Sequence, residues 1–429
     1  MRFSVPRLLV FHTLEWANAA RLALTFLEIG CSVYALCRGN HPLRAIISLE
    51  RVYTYRPFAG VASLKLAILD SDPDLIIPCD DLAVVQLHRL FSQSASAGAS
   101  GARICSLIER SLGRPDGYRF VTTRTLIAPL AKLAHVRLAR TALVPDINAL
   151  KGWFETEGFV GVLKADRTWG GSGVRIVTNS AESEVAFRSL TGVRRAARSL
   201  KQLFWNREPE LFLQLLHGRA PPVTMQTFIA GRIANCSVAC WNGTVIASVA
   251  AEVLVTHGAT GNATVVRIVD NPDMIETATR IVRKIGGSGF FGFDFILEKE
   301  TGKAFLLEIN PRATQISHLS LGPAHDLPAA LRAMLVGDPL PEPAAVTEEK
   351  IIAFFPQELR RDPSSPFLRD AYHDVPREAP ELVQAFLAQP RLRRRLAARG
   401  RALASRLRDY GTPPHPVPDQ VPPSRSDMT

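Results

Sequence analysis

Residues Phe290 to Arg312 read FFGFDFILEKETGKAFLLEINPR, and they carry the clearest structural pattern in the chain. The first part alternates phenylalanines with Gly292, Asp294 and Ile296. This alternation predicts a strand with one carboxylate on the face opposite the aromatic rings. A turn at 300–302 and a second apolar run after it indicate a β-hairpin.

The returning strand of this hairpin brings a second carboxylate to the first. In a regular strand, Leu306, Glu308 and Asn310 share one face, and the residues between them fill the other. A turn centred near Thr301 then places Asp294 opposite Glu308. Two facing carboxylates repel each other unless a cation or a proton lies between them.

Asp294, Glu308 and Asn310 form a set of oxygen donors that suits Mg²⁺. This ion binds few protein carboxylates and completes its octahedron with phosphate and water. Arg312 follows Pro311 and can pair with a transferring phosphoryl group. An ordinary hairpin with an exposed polar face is the alternative. The position of all three donors on one face favours the metal site.

A glycine-rich segment lies between two predicted strands, 159–166 and 174–177. It includes Gly170, Gly171, Ser172 and Gly173. Glycines let successive backbone N–H groups face a polyphosphate without side-chain bulk in the way. No Gly-Lys-Ser/Thr follows, so the segment is not a Walker loop. A tight hairpin turn would use similar residues, and that alternative stays open.

The first hundred residues alternate between strand and helix patterns, which predicts a doubly wound, Rossmann-like sheet. Short strands are predicted at 7–13, 32–37 and 74–78, and a helix is predicted at 15–29. No G-x-G-x-x-G follows the first strand, so no dinucleotide is indicated. Asp80 and Asp81 are expected to cap a helix, with ligand binding as the alternative. The small residues from Ser92 to Gly101 predict a loop.

Three of these features together resemble the ATP-grasp superfamily, close to the large-subunit type of carbamoyl-phosphate synthetase. They are Glu308-Ile309-Asn310-Pro311-Arg312, Gly292-Phe293-Asp294-Phe295, and Lys164 ahead of the glycine-rich segment. The resemblance covers roughly residues 119–335, and residues 7–90 resemble the domain that precedes ATP-grasp in that family. It implies an α/β chain with a Rossmann-like pre-ATP-grasp domain, a two-lobed α+β ATP-grasp domain, a small C-terminal helical extension and a disordered tail. The expected bounds are 1–115, 116–338, 339–410 and 411–429.

The resemblance also implies the roles of individual residues. Lys132 and Lys164 would contact ATP phosphates under the glycine-rich segment, and Lys164 and Arg312 would act on the phosphoryl group. Adenine would be held, chiefly by backbone groups, along Gln226, Thr227, Phe228 and Ile229. Asp294, Glu308 and Asn310 would hold Mg²⁺, for which Mn²⁺ can substitute.

The expected function is an ATP- and Mg²⁺-dependent ligase that joins a small-molecule carboxylate to an amine. A carboxyphosphate-forming or thiol-ligating enzyme of the same fold is one alternative. A non-catalytic nucleotide-binding protein is another, because Thr227 and Ile233 stand where relatives often have a lysine and a ribose-binding glutamate. Glu252 and His257 lie near a loop that faces the substrates in the resembling family, and their roles stay open.

The net charge of +11 is concentrated near the C-terminus. Eight arginines lie between Arg391 and Arg408, so the rest of the chain carries 43 minus 40, or only +3. A solvated helix explains this run, and nucleic acid or an acidic membrane surface is not the expected partner. The apolar runs are too short to span a membrane, and the six cysteines suggest neither a zinc site nor a disulfide framework. A cytoplasmic protein is expected, and a homodimer is compatible with the sequence.

Overall fold

The structure is a computed structural model of the 429-residue chain. It describes residues 5–157, 160–166, 173–191, 222–258, 261–322, 325–340, 342 and 350–388. Residues 1–383 form one compact unit, and residues 384–429 form a second. Three predicted features lie outside the described residues: Gly170 to Ser172, the arginine-rich segment 391–408 and the tail 411–429.

A parallel sheet of four strands, in the order β3-β2-β1-β4, forms the N-terminal part. Its strands are β1 (Arg7–Phe11), β2 (Ser32–Cys37), β3 (Arg51–Thr54) and β4 (Leu75–Pro78). Every residue of β4 is buried. Because successive side chains of a strand point to opposite faces, this burial means that both faces of the sheet are covered there. The predicted doubly wound sheet is confirmed, and β3 is a strand that the sequence pattern did not predict.

Four helices accompany this sheet. They are α1 (Asn18–Glu28), α2 (Gly60–Ser71), α3 (Asp81–Ser94) and α4 (Gly98–Leu112). Asp80 caps α3, as predicted, because its side chain accepts a hydrogen bond from the N–H of Ala83 at 2.8 Å. The predicted loop from Ser92 to Gly101 is wrong, since only residues 95–97 separate α3 from α4. The small residues serve close packing instead: a Cβ on Gly101 would lie 2.1 Å from the carbonyl oxygen of Ser94.

Helices α5 (Tyr118–Thr122) and α6 (Ile127–Leu133) lead into an antiparallel sheet in the order β5-β8-β6-β7. Its strands are β5 (Thr141–Leu143), β6 (Gly161–Ala165), β7 (Val174–Val177) and β8 (Val223–Thr227). Helices α7 (Ile147–Glu157) and α8 (Ser180–Thr191) pack against it. Trp153, Phe187 and Met225 lie in the shared apolar core. This sheet with its helices is one lobe of the predicted two-lobed domain.

The other lobe is a seven-stranded sheet in the order β13-β12-β9-β10-β11-β14-β15. Its strands are β9 (Gly231–Trp241), β10 (Thr244–Thr256), β11 (Ala263–Val269), β12 (Gly289–Glu298), β13 (Ala304–Asn310), β14 (Ile351–Phe354) and β15 (Tyr372–Asp374). Helix α9 (Pro272–Ile285) adds Ile281 and Val282 to the core of this lobe. The remaining helices are α10 (Leu327–Val336), α11 (Gln357–Arg361), α12 (Phe367–Asp370) and α13 (Pro380–Leu387).

Strands β14 and β15 come from the region that was expected to form a C-terminal extension. β14 pairs with β11, and β15 pairs with β14. Residues 351–354 and 372–374 are therefore part of the main sheet, and two short helices lie between them in the chain. Short strands of three or four residues carry little periodicity, which explains why the sequence pattern did not predict them.

The β12–β13 hairpin has the predicted pairing of Asp294 with Glu308. The next recorded pair is Phe295 with Leu306, so Leu307 is an extra residue that forms a β-bulge. The bulge places Leu306 in the apolar core with Ile309, while Glu308 faces the other way. The expectation that Leu306 shares the face of Glu308 is therefore wrong, because one extra residue reverses the alternation.

Candidate active site

The two carboxylates of the hairpin lie within a network of amide groups. Asn310 donates from Nδ2 to Oδ2 of Asp294 at 3.2 Å, and Asn235 on β9 donates to Oδ1 at 2.5 Å. Glu308 stands opposite Asp294 on the neighbouring strand. The structure thus brings the three predicted oxygen donors into one cluster.

This cluster holds two carboxylates and one side-chain amide near each other. Within the described part of the chain, no group of three or more His, Cys, Asp or Glu side chains is arranged to hold a metal ion. Asp294, Glu308 and Asn310 would fill only part of an octahedral shell and leave the rest to other ligands. That requirement fits Mg²⁺, which keeps water and phosphate oxygens among its ligands.

The two carboxylates differ in their pKa. Burial raises the pKa of Asp294 to about 6, and the negative charge of Glu308 adds to this effect. Burial also acts to raise the pKa of Glu308, but the Arg124 guanidinium, with Lys164 and Arg312, outweighs it and lowers the pKa. Glu308 is therefore the member of the pair that is more readily charged, and a cation would stabilise the charged form of Asp294 in place of its proton.

Two cationic side chains face Glu308. Lys164 on β6 is partly buried, and this burial lowers its pKa to about 8, although the charge of Glu308 opposes the shift. Arg124, between α5 and α6, donates from Nη2 to Oε1 of Glu308 at 2.6 Å and from Nη1 to the carbonyl oxygen of Ala165 at 3.0 Å. Arg124 thus connects the hairpin with the strand that carries Lys164.

Arg124 is a residue that the sequence analysis missed. It is 184 positions away from Glu308, and no spacing rule links the two. The only signal was a lone arginine in a run of threonines and apolar residues, Val121 to Leu126. Only the folded arrangement of α5, β6 and β13 shows what this arginine contacts.

Arg312 is held by groups from two directions. Its Nε and Nη2 atoms donate to the two carboxylate oxygens of Asp81 at 2.9 and 3.2 Å, and Nη2 also donates to Oδ1 of Asn310 at 3.1 Å. The guanidinium carbon lies 5.6 Å from the centre of the Trp16 ring. The charge of Asp81 keeps the pKa of Arg312 above its usual value in spite of burial.

Lys132 takes no visible part in this cluster. It is exposed in the last turn of α6, whereas Leu130 on the same helix faces the core. No hydrogen bond or ion pair among the described residues joins Lys132 to Asp294 or Glu308. Its contact with a phosphate stays a prediction.

The predicted adenine segment begins at the end of β8. The side chain of Gln226 is buried and donates to Oγ1 of Thr141 at 3.0 Å, and the Thr227 N–H donates to the Arg140 carbonyl at 2.9 Å. The Phe228 ring, by contrast, is 41% exposed, and Ile229 is half-buried. Thr227 is half-buried as well, so the accessible part of the segment is Thr227, Phe228 and Ile229. Of the predicted phosphate loop, only Gly173 is described, and its carbonyl oxygen accepts from the N–H of Ala165 at 3.0 Å.

Glu252 and His257 lie on and just after β10. Glu252 is buried and accepts a hydrogen bond from Arg232 at 3.1 Å. The backbone N–H of His257 donates to the carbonyl oxygen of Asn262 at 2.9 Å. These contacts link the two residues to their own sheet, and none of them reaches the carboxylate pair.

A cavity of about 510 Å³ opens beside Glu308. Its lining comes from one face of α3 and from residues 121–124 and Ile127. Asp166, Glu308, Ile309 and Pro311 also line it. The charged cluster is therefore reachable from a space large enough for a small organic molecule.

Residues 142–315 match the family model of an ATP-grasp domain. This range includes Lys164 and the whole β12–β13 hairpin with its three oxygen donors. The chain therefore contains an ATP-grasp domain, as the resemblance implied. No curated protein matches the chain by sequence.

Solved structures share the architecture over most of the chain. N5-carboxyaminoimidazole synthetase from Staphylococcus aureus, in complex with ADP, is 13% identical with a TM-score of 0.57, covering 82% of both chains. Biotin carboxylase from Campylobacter jejuni, in a β-γ-ATP complex, is 15% identical with a TM-score of 0.56, covering 79% of this chain and 73% of the other. Phosphoribosylglycinamide synthetase from Anaerococcus prevotii is 15% identical with a TM-score of 0.52, covering 78% and 76%. At these identities the likeness shows a common fold, which confirms the predicted sheet followed by two lobes.

Proposed function

We propose that this chain, which carries an ATP-grasp domain, is an ATP- and Mg²⁺-dependent ligase that activates a carboxylate as an acyl phosphate for attack by an amine. The observation that supports this most strongly is the convergence of opposite charges at the hairpin. Asp294 and Glu308 lie beside Arg124, Lys164 and Arg312. A site that transfers a phosphoryl group needs such cations for its oxygens and carboxylates for its metal.

Asp294, Glu308 and Asn310 would hold Mg²⁺. The raised pKa of Asp294 supports this fit, because a buried carboxylate beside a second carboxylate is stabilised by a cation. When bound, Mg²⁺ neutralises charge on the phosphate oxygens. We propose that Mn²⁺ can substitute, because carboxylate and carbonyl oxygens suit both ions.

The chemistry runs in two balanced steps. A carboxylate oxygen attacks the γ-phosphorus of ATP, a new O–P bond forms, and the bond between the γ-phosphorus and its bridging oxygen breaks with its electron pair leaving on ADP. The amine nitrogen then attacks the acyl carbon, phosphate leaves with the electrons of the C–O bond, and the nitrogen loses a proton. Both steps need charge neutralisation and exclusion of water more than they need proton transfer by the protein.

The cationic side chains have separate roles in this scheme. Lys164 and Arg124 would bind the phosphate oxygens from the side of β6, and Arg312 would orient the transferring group from the side of α3. The segment Gln226 to Ile229 would hold the base of the nucleotide, chiefly through backbone groups at its accessible residues 227–229. The glycine-rich segment, including Gly170, Gly171 and Ser172, would cover the phosphates.

The test is turnover of Mg·ATP by the purified protein with pooled carboxylates and amines, with ADP release and product mass as readouts. ADP release that requires a carboxylate, with an amide product, is the expected result. ADP release that requires only bicarbonate would favour a carboxyphosphate-forming enzyme, and a thioester product would favour a thiol acceptor. Tight nucleotide binding without turnover on any pool would favour a non-catalytic protein.

We further propose that the protein acts in the cytoplasm, forms a homodimer, and has small molecules rather than nucleic acid or an acidic membrane as partners. Outside Arg391 to Arg408 the chain is nearly neutral, which supports the last point. None of the described helices is long and apolar enough to cross a lipid bilayer. Light scattering would give the oligomeric state. Salt-sensitive binding to anionic vesicles or nucleic acid, lost when residues 391–429 are deleted, would contradict the proposed partners.

A further inference from the structure

The cavity beside Glu308 approaches the charged cluster from the side of the N-terminal sheet. Its described lining includes none of the residues 226–229 that we assign to the nucleotide base. Instead, Glu308, Arg124 and Asp166 are among its lining residues, and we call this charged part of the cavity its inner end. The space is thus placed to hold a second substrate next to the phosphoryl group rather than the nucleotide itself.

The long wall of the cavity is one face of α3. Asp81, Val85, His88 and Ser92 follow each other at helical spacing along this face. At a rise of 1.5 Å per residue, the distance from Asp81 to Ser92 is about 16 Å along the helix axis. Ser92 is exposed, as is its neighbour Gln93, so the outer end of the cavity is its mouth.

Much of the rest of the lining is apolar, although Arg89, Thr122 and Thr123 also contribute to it. The apolar side chains include Val84, Val85, Val121, Ile127, Ile309 and Pro311, which together form what we call the apolar middle. A ligand gains from placing a hydrocarbon segment against such a surface. The charged inner end and the apolar middle together select a molecule that is polar at one end and apolar over the next part of its length.

His88 adds one polar group to this wall. Its Nε2 atom is buried and has no hydrogen-bond partner among the described residues, and its ring stacks on Tyr118 at a centroid distance of 4.0 Å. Burial lowers the pKa of His88 to about 4, so the imidazole is neutral at physiological pH. Buried polar groups rarely lack a partner, and a ligand group can supply the missing hydrogen bond. His88 lies about 10 Å along α3 from Asp81.

We propose that this cavity binds the carboxylate substrate, and that this substrate is an elongated monocarboxylate with an apolar body and a neutral hydrogen-bonding group that reaches His88. Its carboxylate lies at the inner end, beside the guanidinium of Arg124. The inference rests on the proposed function and narrows it. A volume of about 510 Å³ is far more than a bicarbonate ion needs, which favours an organic carboxylate over the carboxyphosphate alternative.

The test uses hydroxylamine as the nucleophile, because it converts any acyl phosphate to a hydroxamate with release of phosphate and so does not require the natural amine. The probes are acetate, butanoate, octanoate and 8-hydroxyoctanoate with Mg·ATP. We expect kcat/KM to rise at least about tenfold from acetate to octanoate, and further for 8-hydroxyoctanoate. His88→Leu should remove the preference for the hydroxylated acid and keep the preference for length.

Val85→Phe fills the middle of the cavity from a half-buried position on α3. It should lower kcat/KM for octanoate at least about tenfold and leave acetate and the KM for ATP nearly unchanged. Val185→Phe, at a valine that is 66% exposed on α8, is the matched control and should change nothing. Gln93→Trp, at the exposed mouth, is a second variant that narrows entry without touching the core.

Calorimetric binding of the same acids to the protein with ADP separates failure of this inference from failure of the proposed function. Length-dependent binding that Val85→Phe or Gln93→Trp weakens, without any hydroxamate, would support the cavity assignment and contradict the ligase. Hydroxamate formation that is equal for all four acids and insensitive to both variants would support the ligase and overturn the cavity assignment. Absence of both binding and turnover would overturn both.

Discussion

Arg312 and Asp81 form a two-pronged ion pair, with Nε 2.9 Å from Oδ1 and Nη2 3.2 Å from Oδ2. Arg312 follows the β12–β13 hairpin, whereas Asp81 is the first residue of α3, beside the N-terminal sheet. Because two guanidinium nitrogens donate to two different carboxylate oxygens, the pair fixes the orientation of the guanidinium group as well as its distance. The N-terminal sheet therefore sets the orientation of the arginine that we assign to the transferring phosphoryl group.

Asp81→Asn should loosen this arginine. The asparagine side chain keeps the shape of Asp81 but lacks its charge. The orientation of Arg312 toward the reacting group should therefore be less firmly fixed. At saturating carboxylate, we expect kcat to fall about tenfold to a hundredfold and the KM for ATP to change little. Asp370→Asn, which breaks an exposed ion pair with Arg369, is the control in the same kinetic assay. An unchanged kcat would show that Asp81 has no part in positioning.

Glu308→Gln should separate metal binding from folding. Glutamine has nearly the same shape and can still accept the hydrogen bond from Arg124, but it lacks the charge that Mg²⁺ requires. We expect kcat to fall about a hundredfold or more, with an unchanged circular dichroism spectrum and weak ATP binding retained. Glu298→Gln, on the same hairpin away from the cluster, should keep full activity. Loss of folding in Glu308→Gln would instead indicate a structural role.

Nucleotide affinity should fall with rising pH because of Lys164. Burial lowers the pKa of this lysine to about 8, so the free protein loses its charge above that pH. A bound phosphate would raise the pKa again, and binding would then take up a proton. Between pH 8 and 10, Kd for ADP should rise by up to about tenfold per pH unit, as measured by calorimetry. Lys164→Arg should flatten this profile, and a slope that survives the change would assign it to another group.

Stabilisation by Mg²⁺ should depend on pH through Asp294. Its pKa is raised to about 6 in the folded protein, so the folded state holds a proton that the unfolded state releases near pH 4. This proton-linked stability is present below about pH 4 and is lost as the pH rises through 6. Mg²⁺ with ADP should therefore raise Tm more at pH 7.5 than at pH 5, where the proton competes. Asp294→Asn should abolish the difference in a thermal shift assay, and an equal shift at both pH values in the wild type would contradict the assignment.

The hairpin was predictable because its signal is local. Alternating phenylalanines and a short turn fix the pairing of Asp294 with Glu308 without reference to the rest of the chain. The bulge at Leu307 was not predictable, since a regular period of two contains no sign of an extra residue. The close packing of α3 and α4 was missed because small residues suit both a loop and a tight helix contact.

Of the cationic residues at the site, one was predicted from a local sequence pattern and another was not. Lys164 was predicted because it lies in a predicted strand just before the glycine-rich segment. Arg124 was missed because its contact with Glu308 arises only when distant elements meet. The resemblance also pointed to Lys132, which is exposed on α6 and whose contact with a phosphate stays a prediction. Residues that act through tertiary contact carry no pattern of their own in a single sequence.

The bulge at Leu307 has a consequence for how this site can be altered. Without that residue, Glu308 would still pair with Asp294 and Leu306 with Phe295, so the ladder would become regular and the core would stay filled. Leu307 is only partly buried, so its removal takes little from the core. A bulge bends its strand and increases the local twist. Deleting Leu307 would therefore retain every charged group of the cluster and change only the angle at which Glu308 is presented. The orientation of this carboxylate can thus be changed without changing its chemical identity.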